Sequence, residues 1–152
     1  MKRLVFIITC VCYSMYSFAQ EKVDTIFFGN YYLLIKIFEP NTKTFTSYEE
    51  GFFITFSFLD SSIITIQYGP MVQKPLTSTD SCQILSEFVL DEEIKIIKGI
   101  CTNTAKHLKN VYYFREESYS RYNLSILYEN VSCPNIKLFD NILDNIKIYK
   151  SY

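Results

Sequence analysis

Cys133, His107 and Glu116 are the residues of this chain with the most chemistry to offer: a thiol just before a proline-started helix, a lone imidazole and a carboxylate in a charged run. A cysteine at a helix N-terminus has its thiolate favoured, and a histidine within reach can take its proton, which is the arrangement of a small thiol-dependent enzyme. The blander reading of Cys133, a buried thiol or half of a disulfide, carries more weight. A zinc site would have to draw on His107, Cys101 and Cys133. The short, fixed ligand spacings of such sites are missing, so no metal is expected. There is no CxxC, HExxH, GxSxG or glycine-rich phosphate loop, and four glycines leave little backbone for a phosphate cradle, so no cofactor is implied.

The charges around Glu116 lie in VYYFREESYSRYNLSILYENV, residues 111–131. Pairing 111–117 with 123–129 across a loop at 118–122 sets Phe114 opposite Ile126 and Tyr112 opposite Tyr128 on an apolar side. Arg115 then meets Ser125, Glu117 meets Asn123 and Val111 meets Glu129. The pattern therefore predicts a solvated hairpin face, with Glu116 on the inner side but near the loop and water. Asp140 and Asp144, four apart, form with Lys137 and Lys147 the polar side of a helix; like-charged aspartates there are expected to be solvated.

The elements that would position these residues follow from periodicity. After Cys133 the apolar residues Ile136, Phe139, Ile142, Leu143 and Ile146 recur at helical steps, with Pro134 suited to the first position. YYLLIKIF, Tyr31 to Phe38, reads as a central strand covered on both sides. NTKTFTSYEEG is a polar connection. In FFITFSFLDSSIITIQY a loop at Asp60-Ser61-Ser62 sets Phe58 opposite Ile64, Phe56 opposite Ile66 and Ile54 opposite Tyr68, with serines and threonines on the other face. Between 76 and 110, an Asp80/Gln83 cap suggests a short helix bearing Ile84, Leu85, Phe88 and Val89, followed by a strand over 94–101 and a loop over 102–110.

Lys2 and Arg3, an apolar stretch from Leu4 to Tyr13 and Ser17-Phe18-Ala19 have the layout of a secretory signal peptide cleaved after Ala19. The stretch is about half the roughly twenty apolar residues that span a bilayer, so no membrane span is expected in the mature chain. Residues 20–152 would then form one domain, secreted or periplasmic. Without Lys2 and Arg3 the chain carries 13 Lys plus Arg against 16 Asp plus Glu, which excludes the basic footprint of a nucleic-acid binder. With hydrophobic residues at 49% and aromatics at 17%, the chain can bury a core. Cys82, Cys101 and Cys133 remain, and export permits one disulfide among them. A Cys82–Cys101 bridge requires a chain reversal, because one continuous helix would hold its ends roughly 28 Å apart.

These elements predict an α+β fold: an antiparallel sheet of about five or six strands with a C-terminal helix packed on one face. The closing order, YNLSILYENV then PNIKLFDNILDNIKIYK, resembles the final strand and helix of PsbP-like sandwiches, over about thirty residues. Leader and composition resemble small exported proteins of Bacteroidota type. The PsbP-like resemblance implies a non-catalytic helper or binding role. The expected function is accordingly an exported, non-enzymatic domain binding a protein, a peptide or a small apolar ligand through exposed tyrosines such as Tyr31, Tyr32, Tyr113 and Tyr119. The alternative is the thiol enzyme built on Cys133 and His107.

Overall fold

The structure is a computed structural model that describes residues 21–38, 40, 42–70, 82–103 and 110–151. The expected leader, residues 1–19, and His107 lie outside the described residues. In chain order the elements are β1 (Glu21–Phe28), β2 (Tyr31–Phe38), β3 (Thr42–Tyr48), β4 (Gly51–Ser57), β5 (Ile63–Tyr68), β6 (Cys82–Leu90), β7 (Ile94–Asn103), β8 (Asn110–Tyr119), β9 (Leu124–Val131), the helix α1 (Ile136–Asp144) and β10 (Lys147–Lys150). The chain divides into two compact units, residues 1–39 with 146–152, and residues 40–145. Antiparallel sheet dominates both, and among the described residues one short α-helix near the C-terminus accompanies it, so the α+β expectation holds in coarse form. The described strands number ten rather than five or six, in a three-stranded and a seven-stranded sheet.

In the first unit the order is β1-β2-β10. Gly29, with φ of 52°, turns β1 into β2 over two residues, a conformation that glycine adopts without strain. β2 is central, as its sequence suggests, but it is covered on one face only: Leu33, Ile35 and Ile37 are buried, whereas Lys36 is exposed and Tyr32 and Leu34 are half-buried. Its chain of apolar residues reads as two-sided because the open face carries aromatic and aliphatic side chains too.

In the second unit the order is β3-β4-β5-β9-β8-β7-β6, all antiparallel. The core lies between one face of this sheet and α1. Phe56, Ile64, Ile66, Ile126 and Tyr128 are buried, and Phe139, Ile142 and Leu143 are buried on the helix. The Phe139 ring meets Phe58 and Tyr128 edge-on, at centroid distances of 5.3 and 5.7 Å, a favourable aromatic geometry. Every third or fourth helix position is thus spent on this contact, and Ile146, beyond the helix, leads into β10 instead.

Three expectations need correction here. The β4–β5 hairpin keeps its apolar face but pairs Phe56 with Ile64 and Ile54 with Ile66, two residues from the expected register. The turn is wider because Ser61 takes the left-handed position (φ 69°) and the Asp60 carboxylate accepts the Ser62 N–H at 3.0 Å. TKTFTSY is not a connection but β3, an exposed edge strand in which threonine supplies β-propensity without apolarity. Residues 82–90 are strand β6, not a helix. The hairpin to β7 turns at Asp91–Glu93, and the Cys82–Cys101 disulfide, between directly paired residues, ties its open end.

Candidate functional site

The charged run of β8 is buried. β8 and β9 pair Arg115 with Tyr128, Glu117 with Ile126 and Tyr119 with Leu124, three residues away from the symmetric pairing that the sequence suggests. An odd shift exchanges the two faces of a strand, so Arg115, Glu117 and Tyr119 point toward α1 rather than into solvent. The turn sets this register: Asn123 takes the left-handed conformation that closes a short 3-10 turn at Ser120–Tyr122. Asn130 (φ 59°) supplies the extra residue of a bulge opposite Phe114, which moves the pairing by one more residue at Tyr113.

Arg115 and Glu117 are 4% and 3% exposed. The Arg115 guanidinium donates to Glu117, to Asp140 at 3.0 Å and to Asp144 at 2.7 Å. Lys98 on β7 donates to both Asp140 oxygens at 3.1 Å, the Tyr128 hydroxyl donates to Asp140 at 3.0 Å, and the Tyr119 hydroxyl donates to Glu117. Asp140 and Asp144 are therefore the helix side of an ion network, not a solvated pair; their four-residue spacing puts both over the same arginine. Burial alone would lower the Arg115 pKa, but the carboxylates of Glu117, Asp144 and Asp140 outweigh it and raise it. Burial pulls Asp140 upward, and its bonds from Arg115, Lys98 and Tyr128 more than reverse that, leaving its pKa below the usual value. Burial and the neighbouring carboxylates push both tyrosines up. Each carboxylate already has cationic or hydroxyl partners. The network's chemistry is to hold α1 on the sheet.

On the opposite face Glu116 is also buried; burial raises its pKa, with Lys95 and the hydroxyls of Ser125 and Ser118 pulling part of the way back. Nearby, Gln67, Ser118, Asn123 and Ser125 line a cleft of about 110 Å³, well under the roughly 300 Å³ at which organic-ligand pockets begin. Cys133 is an exposed free thiol at the start of a 3-10 turn leading into α1. No group of three or more metal-ligating side chains occurs among the described residues, and no helix among them is long and apolar enough to cross a membrane.

The four expected tyrosines differ in exposure. Tyr119 is buried against Glu117, Tyr113 is half-buried between β7 and β9, and Tyr31 is half-buried beside Phe28. Tyr32 differs from these. On the open face of the three-stranded sheet it stands directly between Phe27 and Tyr149, with ring centroids 5.9 and 5.3 Å away. Phe27 is 69% exposed, Tyr149 40% and Val23, on the same face, 52%. One row of three rings, exposed at Phe27 and Tyr149 and half-buried at Tyr32, thus crosses the open face of the sheet. Phe27 and Tyr149 escape sequence reasoning because only strand pairing brings the two ends of the chain together; the alternation TIFF before a glycine was the one available signal.

Comparison with protein-family models, curated proteins and solved structures finds no match.

Proposed function

We propose that the chain is an exported, non-enzymatic binding domain that takes a protein or peptide segment on the open face of the β1-β2-β10 sheet. The observation that carries this reading is the ladder Phe27–Tyr32–Tyr149 on the open face, with its two outer rings exposed. Aromatic side chains in a contiguous exposed patch raise the free energy of the isolated chain in water, and burying them against a partner recovers it. Tyrosine and phenylalanine supply large contact area with few rotatable bonds, which is why such rings dominate binding energies at interfaces. The network around Arg115 supports the non-enzymatic part, since its acids and bases are committed to one another. The PsbP-like resemblance of the closing strand and helix favours a helper role as well.

The test is capture of immobilised peptides by the full chain and by its Phe27→Ala/Tyr149→Ala variant. The reading expects capture that the variant loses by tenfold or more, at unchanged circular dichroism; equal capture by both chains contradicts it. Alkylation of Cys133 at mildly acidic pH separates the enzyme class: slow modification fits a binding domain, and rapid modification favours a thiol enzyme.

A further inference from the structure

We propose that the partner on the aromatic face is a second copy of the chain, whose β6–β7 hairpin, apolar along its free edge and acidic at its tip, seats on the ladder. This rests on the reading of the ladder as a binding surface.

Among the described residues β6 ends the seven-stranded sheet, with no strand paired to its outer edge. Leu85, Phe88, Val89 and Leu90 are between 42% and 59% exposed. The strand's one charge, Glu87, is neutralised by Lys95 at 2.7 Å. The charged guards that keep edge strands from pairing are therefore absent where the edge is most apolar. Directly after Leu90 come Asp91, Glu92 and Glu93, all exposed. The disulfide across the hairpin base holds this element in shape, so docking it costs little ordering entropy.

The open face of the β1-β2-β10 sheet has the complementary order. Beyond the ladder, the next row across the strands contains Lys147 opposite Leu34, and the row after it contains Lys36 opposite Val23. Rows on one face are about 7 Å apart, so the cations begin about 7 Å from the rings and continue to about 14 Å. Among the described residues of the three strands the single carboxylate on this face, Glu21, stands at its far end opposite Phe38. Lys36, Lys147, Asp91 and Glu92 form no ion pair among the described residues. Apolar side chains followed by anions thus face apolar side chains followed by cations. The two patches are different surfaces of one chain, so the contact is head-to-tail and builds rings or filaments.

Sedimentation of the purified chain, disulfide intact, over a concentration series tests this. Association is expected to weaken about tenfold in Asp91→Lys/Glu92→Lys and likewise in Lys36→Glu/Lys147→Glu, as two surface ion pairs would give. Mixing the two charge-reversed variants should restore association between them. A chain that stays monomeric up to roughly 1 mM, or reversed variants that do not recover on mixing, overturns the proposal. If peptide capture still depends on Phe27 and Tyr149 in a monomeric chain, the partner is another molecule and only this inference falls. If capture is indifferent to them, the reading of the ladder falls with it.

Discussion

Replacing Arg115 with methionine should destabilise the chain by about 3–5 kcal/mol, the usual cost of leaving a buried charge without its partner. The magnitude comes from Glu117. Its side chain is 4% exposed and that of Arg115 5%, so the carboxylate that remains after substitution has no water to turn to, only the Tyr119 hydroxyl. Asp144, at 58% exposure, resolvates at little cost, and Asp140 keeps Lys98 and Tyr128. Domains of this size unfold at about 5–15 kcal/mol, so the loss is a large share of the total. Adding Glu117→Gln to the methionine variant should return about 2 kcal/mol or more, because the stranded charge disappears. Urea unfolding followed by tyrosine fluorescence reads both, with 13 tyrosines and no tryptophan to mask them. A loss of about 1 kcal/mol or less for Arg115→Met, the value of a surface pair, would refute the burial argument. So would a double variant no more stable than the single one.

Serine at both Cys82 and Cys101, 19 positions apart, should cost about 3 kcal/mol through released loop entropy; a Tm unaffected by the substitution or by reductant would contradict the pairing. Asp140, with its pKa held below the ordinary 3.8, contributes stability that is present above that value and is lost as pH falls through its folded pKa. Asp140→Asn should therefore flatten the acid decline below about pH 4, measured as urea midpoint against pH. Glu116, raised above 4.5 by burial, has the opposite sign: its contribution is full below that value and falls as pH rises through its folded pKa, so Glu116→Gln should remove that slope. Gly51→Ala would place a methyl 2.0 Å from the Tyr68 carbonyl oxygen and 2.6 Å from the Tyr48 hydroxyl that donates to it. Thermal unfolding should show a loss of about 1–3 kcal/mol.

The sequence was legible where one face of an element is apolar and the other is not. The β4–β5 hairpin and α1 have that contrast, and both bury the faces expected of them. β8 lacks it: Phe114, Arg115, Glu116 and Glu117 are buried in succession, so neither face is marked. The rule that charges seek water failed because Arg115 pairs with Glu117 inside the fold and its other two counterions lie 25 and 29 positions further on, on a different element. The asparagine at 123, which tolerates the left-handed turn, was the local sign that the hairpin loop sat later than supposed. β6 imitates a helix since Ile84, Leu85, Phe88 and Val89 recur at steps of one and four. As an edge strand exposed on both faces it shows no alternation to correct that impression. The ladder joined one anticipated residue, Tyr32, to two that only the pairing of β2 with both chain ends could supply.

The most direct test of the binding face is to follow the ring signals of Phe27, Tyr32 and Tyr149 by NMR while a captured peptide is titrated into the labelled chain. These three should shift together and saturate, with the rings of Phe56 and Phe139 unmoved in the core. Shifts confined to other residues, or a peptide that binds while all three rings stay still, would contradict the account.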